Sequence, residues 1–314
     1  MIIANERDVT AAVLAEAART PDARTREILQ AGITHLHAFV RDARLSENEF
    51  RQLVMCIARL GQMTDASHNE VMVAAGSLGV SALVCLLNND AQGSGTTANL
   101  MGPFWRAGAP PTPSGGSIVR SPTAGDPVFV AAWVHDRDGR PVPGAEVDVW
   151  HASPEGFYEN QDPMQADMNL RGRFVTDANG FFEFRTVKPA GYPVPVHGPV
   201  GDLLRAQGRH NMRPAHLHFL IHKPGYKTQF SQVYSADDPH LETDSQFGVT
   251  SALVAHYERH DGVASAPADD VTGPWYTLER RFVIDAGDAQ LPRPPISGRN
   301  AGPRPELTVL PRQP

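Results

Sequence analysis

Arg209-His210-Asn211-Met212-Arg213-Pro214-Ala215-His216-Leu217-His218-Phe219 is the stretch from which the fold is built outward. If Ala215 to Ile221 is a strand, alternation sends His216 and His218 to one face and Leu217, Phe219 and Ile221 to the other. Two imidazoles then stand together on a strand with an apolar back. Taken alone, such a pair is more often two hydrogen-bonded histidines than a metal site. Its meaning depends on what else points to the same place.

Around that strand lie further short alternating runs. Val128, Val130 and Ala132 alternate with Phe129, Ala131 and Trp133 before a turn at Asp136-Arg137-Asp138-Gly139. Pro141-Val142-Pro143-Gly144 makes another turn, after which Ala145, Val147 and Val149 alternate with Glu146, Asp148 and Trp150. Arg173 to Thr176 and Phe181 to Arg185 flank Asp177-Ala178-Asn179-Gly180, a hairpin signal. Strands are also expected at Thr228 to Tyr234, Ala252 to His256 and Trp275 to Ile284. Short strands punctuated by Gly and Pro predict a β-sandwich.

Proline marks where this pattern begins. Of 27 prolines only Pro21 lies in the first 100 residues, and the rest start at Pro103. Interior proline costs a helix about 3 kcal/mol, so the proline-poor part reads as helical. Asn5 to Arg19 is Ala- and Glu-rich with Thr10 or Asp8 as candidate cap, and Asp22 to Asp42 carries apolar residues at helical spacing. Ser46-Glu47-Asn48-Glu49 is a capping-box pattern opening a third helix that should stop near Gly61. Glu70 to Asn88 predicts a fourth helix, too apolar for one exposed side. Its excess apolar surface fits either a subunit interface or burial against the strand domain. Ala91 to Thr97, with Gly93-Ser94-Gly95, reads as a flexible connector.

The chain is thus expected to be mainly β with an α-helical N-terminal part. Residues 1–105 form the helical domain, 106–286 the sandwich, and 287–314 a Pro- and Arg-rich tail that is either an extended wrap or a disordered end. At 314 residues, with 41% hydrophobic and 20% charged residues, there is ample material for a core. A formal charge of -7 argues against a general nucleic-acid binder. The N-terminus lacks a signal-peptide pattern and no run approaches a membrane span, so a cytoplasmic protein with no membrane partner is expected. Cys56 and Cys85 fall in helix-like apolar patterns and read as buried free thiols. No internal repeat, phosphate-loop glycine pattern or nucleophile elbow is found.

Two tyrosines occupy loops: Tyr158, in the segment after Trp150-His151, and Tyr192, in Lys188-Pro189-Ala190-Gly191-Tyr192-Pro193. With these and Gly102-Pro103-Phe104, Gly108-Ala109-Pro110, Pro141-Val142-Pro143-Gly144-Ala145, Asn169-Leu170-Arg171-Gly172-Arg173-Phe174, Gly208-Arg209-His210 and the Arg-Pro-Ala-His-Leu-His run, the chain resembles the intradiol aromatic ring-cleaving dioxygenases. That family comprises catechol and hydroxyquinol 1,2-dioxygenases, and the likeness runs from about Leu45 to Tyr257. It implies a helical dimerisation domain, a homodimer with a lipid-filled tunnel at the interface, and a mononuclear non-haem Fe(III) held by Tyr158, Tyr192, His216 and His218. The donor set suits the ion, since a phenol of pKa about 10 binds as an anion only to a hard, highly charged cation. The likeness makes Tyr192 both ligand and base, Arg213 the stabiliser of negative charge on the ring, and Gln232 a glutamine beside the iron-bound hydroxide, where the plain alternative is a ladder residue of its strand. Arg209 and His210 are expected to hold their loop. The other tyrosines, Tyr226, Tyr234, Tyr257 and Tyr276, read as packing.

The implied reaction is cleavage of a catechol-type ring by O2 to a muconate-type diacid. Tyr192-Pro193-Val194-Pro195 and Phe247-Gly248-Val249 are more similar to hydroxyquinol than to catechol enzymes, with catechol or a substituted catechol as the alternative substrate. By the same likeness the substrate wall comprises Val73, Gly76, Pro103, Phe104, Trp105, Phe247 and Gly248. Where relatives carry a Leu-Ser-Asp type segment this chain has Val73-Ala74-Ala75-Gly76-Ser77, which predicts a wider pocket lacking an acidic partner. Two rival readings are a non-catalytic β-sandwich binding module, suggested by the same turn pattern, and a zinc hydrolase using the His pair, which lacks an obvious third carboxylate ligand.

Overall fold

Val128, Val130, Ala132 and Val134 of β1 (Pro127–Asp136) are all buried, while Phe129, Ala131 and Trp133 between them are half-buried. That alternation, read from the sequence, is what lets two sheets close on each other. The computed structural model describes residues 2–89 and 96–313; residues 91–95 of the expected connector lie outside them. Two compact units divide the chain, Met1–Ala58 and Arg59–Pro314.

The first unit contains α1 (Glu6–Ala17), α2 (Ala23–Asp42) and the start of α3 (Glu47–Gln62). Asn5, rather than Thr10 or Asp8, caps α1 by accepting from the Arg7 N–H at 2.9 Å. Asp8 lies a turn too late and instead accepts from the Ala4 N–H and the Asn5 amide. At α3 the capping box is closed: the Glu49 carboxylate accepts from the Ser46 N–H at 2.8 Å, and Ser46 Oγ accepts from the Glu49 N–H at 3.3 Å. The helix continues through Gly61 to Gln62.

In the second unit the single helix expected over Glu70 to Asn88 is two, α4 (Glu70–Ser77) and α5 (Val80–Asn89), bent by 73°. Gly79, at φ +73°, adopts the left-handed conformation that ends a helix. The two halves differ in burial. On α4, Glu70, Val73, Ala74, Gly76 and Ser77 are buried. On α5 no residue is buried, and Val80, Leu83, Val84, Leu86 and Leu87 are exposed. Packing among the described residues therefore accounts for α4 and leaves the apolar side chains of α5 exposed. Cys56 is exposed and Cys85 half-buried, both free, which corrects the expectation of buried thiols. No single described helix is long and apolar enough to cross a membrane.

The remaining elements are β2 (Glu146–Trp150), β3 (Arg171–Val175), β4 (Phe181–Val187), β5 (Tyr192–Pro193), α6 (Pro199–Ala206), β6 (Met212–Arg213), β7 (His216–His222), β8 (Gln229–Ser235), β9 (Val254–Ala255), β10 (Glu258–His260) and β11 (Trp275–Ile284). One sheet has the order β10-β11-β1-β4, with β1 and β11 parallel; the other has β3-β2-β7-β8-β9. Val130, Val134, Val147, Val149, Phe174, Phe184, Phe219 and Phe282 belong to one buried apolar cluster contributed by both sheets, a β-sandwich core. The strand expected over Ala252 to His256 shortens to β9, which a 3-10 turn at Ser251–Leu253 precedes.

Asp177 to Gly180 does not join a hairpin. β3 pairs with β2 and β4 with β1, so the turn arches from one sheet to the other. Asp177 still makes the local turn, its N–H donating to the Phe181 carbonyl at 2.9 Å. Its flanks are claimed by different partners: Thr176 exchanges hydrogen bonds with Ala145, while the Gly180 carbonyl accepts from the Val134 N–H at 2.8 Å. The arch brings Phe174 against Phe184, ring centroids 5.1 Å apart across the sandwich. The tail resolves as the extended wrap. Ile296 and Leu310 are buried, and the Leu310 N–H donates to Asn211 Oδ1 at 2.9 Å.

Candidate metal centre and active site

Every residue of β7 except His222 is buried, and its two faces differ in chemistry. Leu217, Phe219 and Ile221 enter the sandwich core, whereas His216 and His218 turn to the opposite side. Trp150 of β2 lies opposite His218 in the ladder and stacks on its ring, centroids 4.7 Å apart and 7° from parallel.

The two tyrosines arrive from separate loops. Tyr158 follows β2, in a loop pinned by its neighbour Glu159, a buried carboxylate that accepts from Arg106 and Arg171 at 2.7 Å each. Arg299 of the tail binds the same loop through the carbonyls of Glu159, Asp162 and Gln165. Tyr192 sits in β5, directly opposite Arg213 of β6. A two-residue ladder thus sets the phenol beside the guanidinium.

The four side chains expected from sequence meet. His216 Nε2 and His218 Nε2 are 3.0 Å apart, His218 Nε2 is 3.1 Å from Tyr158 Oη, and Tyr158 Oη is 3.2 Å from Tyr192 Oη. His216 Nδ1 is 2.6 Å from the Pro214 carbonyl, an acceptor only, so Nδ1 carries the proton and Nε2 presents a lone pair, toward which Arg213 Nη1 donates at 3.3 Å. Burial, and then the charge of Arg213, push the His216 imidazole down to about 3. Burial, His216 and Arg213 hold His218 well below the usual imidazole range. Both rings are therefore neutral. Burial and the neighbouring Tyr192 raise Tyr158 well above an ordinary phenol, and burial raises Tyr192, against the opposing pull of Arg213.

This donor set fits a small, highly charged cation. Two ligands each about 2.1 Å from one metal lie about 3.0 to 3.4 Å apart for angles between right and tetrahedral, the spacing seen here. Two neutral imidazoles supply lone pairs, and two phenols held protonated by burial need a strong positive charge to ionise. Among the described residues no group of three or more His, Cys, Asp or Glu is placed to hold a metal, so phenols would have to complete any shell here.

Arg213, 1% exposed, is the hub beside this cluster. Nε and Nη2 donate to the two oxygens of Asp244 at 3.0 and 3.1 Å, and Nη2 also donates to Tyr234 Oη and to Gln232 Oε1, each at 2.9 Å. Burial alone would raise the Asp244 carboxyl, but Arg213 and the Gly248 and Gln246 N–H groups outweigh it and hold it below the ordinary range. Gln232 is fixed at its other end by Nε2 donating to the Leu100 carbonyl at 3.0 Å.

A cavity of about 420 Å³ reaches Arg213 and is lined by Met72, Gly76, Leu100, Gly102, Pro103, Phe230 and Gln246, among others. Gly102, at φ +72°, lets the backbone pass close to His218, since a Cβ there would lie 2.9 Å from His218 Cε1. Gly76 and Pro103, two of the residues expected at a substrate wall, line this cavity. Val73 is buried nearby in the apolar cluster that includes both tyrosines, and Phe104 packs on Tyr158, centroids 4.6 Å apart. Trp105 lines a different cavity of about 140 Å³, its indole N–H donating to Asp148. Phe247 turns outward, 52% exposed beneath Arg209, while Gly248 is held by Asp244 and Asn99. Arg209 and His210 hold loops, through the Ser77 and Ser245 carbonyls and through Thr243. Sequence reasoning missed Tyr234, Asp244 and Gln246. Tyr234 was legible: two residues after Gln232 on β8, it lies opposite His216.

Two family models match the chain, "Catechol dioxygenase N terminus" over residues 22–96 and "Dioxygenase" over residues 101–277. The chain belongs to the intradiol ring-cleavage dioxygenases. It is an oxidoreductase of that family, whose enzymes are in general Fe(III)-dependent and for which a catechol-type ring and O2 are fitting substrates. It is similar to the 6-chlorohydroxyquinol 1,2-dioxygenase of Cupriavidus pinatubonensis, at 38% identity over 86% of this chain and 98% of that protein. It is also similar to the hydroxyquinol 1,2-dioxygenase of Nocardioides simplex, at 37% identity over 90% and 96%. Among solved structures, the hydroxyquinol 1,2-dioxygenase of Pseudomonas putida superposes with a TM-score of 0.77 at 35% identity, covering 90% of this chain and 99% of that one. Membership in this family displaces both the binding-module and the zinc-hydrolase readings.

Proposed function

We propose that Tyr158, Tyr192, His216 and His218 hold a mononuclear ferric ion, and that the protein opens hydroxyquinol between its adjacent hydroxyl-bearing carbons to 3-hydroxy-cis,cis-muconate, the tautomer of maleylacetate. The observation that carries this reading is the chain of four donor atoms spaced 3.0 to 3.2 Å beside Arg213. Relatives that act on hydroxyquinols support the choice of substrate. When bound, the ferric ion would draw electron density from the diol and make its ring reactive toward O2.

The chain's own residues do the rest. Tyr192 Oη takes the proton that a ring hydroxyl loses, and the positive charge of Arg213 across the β5–β6 pair favours the phenolate that does so. As negative charge spreads over the ring, the same guanidinium, fixed in place by Asp244, Tyr234 and Gln232, meets it without reorganising. Phe104 and Trp150 pack against Tyr158 and His218 and keep water from the donors.

Tyr158→Phe is expected to lose most of the iron and the red-brown tyrosinate-to-Fe(III) absorption. Metal analysis and a visible spectrum check it, and retention of both would remove Tyr158 from the ligand set. Oxygen-electrode assays across catechol, hydroxyquinol and alkyl- or halo-catechols decide the substrate, with hydroxyquinol expected to give the highest kcat/KM.

In this reading residues 1–105 serve dimerisation, 106–286 catalysis, and 287–314 brace the Tyr158 loop, in a cytoplasmic homodimer with phospholipid at its interface. The exposed Ile28, Leu36, Phe39 and Phe50 of the first unit, and the exposed apolar residues of α5 in the second, support association. Sedimentation velocity at working concentration is expected to give a dimer; a monomer would contradict the assembly.

A further inference from the structure

Residue 76 and the side chain of Gln246 compete for one volume on the wall of the 420 Å³ cavity. A Cβ on Gly76 would lie 1.9 Å from Gln246 Oε1 and 2.9 Å from its Cδ, so any larger residue at 76 would evict the amide. Gln246 is 4% exposed, and its placement is built rather than incidental. Its Nε2 donates to Ser77 Oγ at 2.7 Å, and its backbone N–H donates to Asp244 Oδ1 at 3.1 Å, the oxygen that also receives Arg213 Nε. With Nε2 spent on Ser77, Oε1 is the half of the amide left for a ligand, and among the described residues it accepts no hydrogen bond. Gln246 lines the cavity, so a donor that enters there can reach this oxygen. Beside it, Met72, Val80 and Pro103 form apolar wall suited to the face of a ring.

We propose that Gln246 is a specificity-determining residue, its Oε1 accepting a hydrogen bond from a ring hydroxyl outside the cleaved diol, in the space that glycine at 76 leaves free. The ligand class is a trihydroxylated benzene. The inference rests on the hydroxyquinol reading above, and goes beyond it by assigning the recognition of the third hydroxyl to a residue opposite the α4 wall. An acceptor on α4 is then unnecessary, which explains how a chain with Val73-Ala74-Ala75-Gly76-Ser77 keeps a polar contact there.

The test is anaerobic titration of the iron-loaded enzyme with hydroxyquinol and with catechol, followed by kcat/KM for both in air. The wild type is expected to bind hydroxyquinol about tenfold tighter than catechol or better, the scale of one hydrogen bond made in a dry site. Gln246→Met, similar in shape but without an acceptor amide, is expected to lose about tenfold in affinity for hydroxyquinol while catechol changes by less than about threefold. Gly76→Ala, which displaces the amide without removing it, should show the same selective loss. Catechol binding reports the folded diol site, so a variant that loses both ligands together has lost the site, and the other variant decides. Unchanged discrimination in either variant that still binds catechol overturns the proposal. A wild type that prefers catechol overturns it together with the hydroxyquinol assignment, and a wild type that takes up no oxygen with either compound overturns the proposed function itself.

Discussion

Tyr192→Phe is expected to lower kcat by about 10³-fold or more, within the range that a positioned acid–base group contributes, while the protein stays folded and keeps much of its iron. The fold should survive because Tyr192 is held by its backbone, in the β5–β6 ladder, and by ring contacts a phenylalanine reproduces: an edge-on packing against Tyr158 at 5.3 Å and a contact with His216 at 5.6 Å. The substitution removes only Oη, the atom proposed to receive the substrate proton, which sits 3.2 Å from Tyr158 Oη. The remaining donors, His216, His218 and Tyr158, still converge. Steady-state oxygen uptake and iron content of the same preparation separate the two roles, and normal turnover in this variant would rule out Tyr192 as the base.

Arg213→Met should damage both stability and rate, and the two effects are separable. The guanidinium is buried and pairs with a buried carboxylate, so its removal leaves Asp244 charged and unpaired, a loss of about 3–5 kcal/mol. For a chain of this size that corresponds to roughly 5–8 °C in Tm. The rate should fall by about 10²- to 10³-fold if the guanidinium has its proposed role of meeting negative charge on the ring. Adding Asp244→Asn removes the stranded charge, and its single amide oxygen still accepts from one of the two N–H groups, of Gln246 or of Gly248, that Asp244 receives on its two oxygens. The double variant is expected to recover most of the lost Tm and none of the lost rate. Recovery of both would make Arg213 a structural ion pair and nothing more.

Local rules carried the reading of elements whose determinants lie within a few residues of one another. The capping box at Ser46 and Glu49 and the alternation of β1 and β7 formed as their patterns require, because the groups that satisfy each other are neighbours in the chain. Where the determinant was distant, pattern reading stopped short. Asp177 to Gly180 makes its turn, but whether the flanking runs pair with each other depends on β1 and β2, which bid for them from opposite sheets. Gly79 was read as one more residue of an apolar helix, and its left-handed conformation split that helix in two. From sequence Tyr234 reads as packing although the period of its strand aims it at Arg213, whereas Asp244 and Gln246 sit in a loop with no periodicity to betray them.

By itself the sequence determined which atoms are available for chemistry: the His-x-His pair on an apolar-backed strand, two loop tyrosines and an arginine two residues before the alanine that precedes the first of those histidines. Those follow from residue identity and from the two-residue period of a strand. Only the tertiary structure decided that Tyr158 and Tyr192, 34 residues apart, bring their hydroxyl groups to hydrogen-bond distance, that Asp244 fixes Arg213, and that Gln246 fills the space beside Gly76. Such contacts depend on how two sheets, an arch and a tail pack in three dimensions, and burial, which makes a charge or an unpaired oxygen costly, exists only once they have packed.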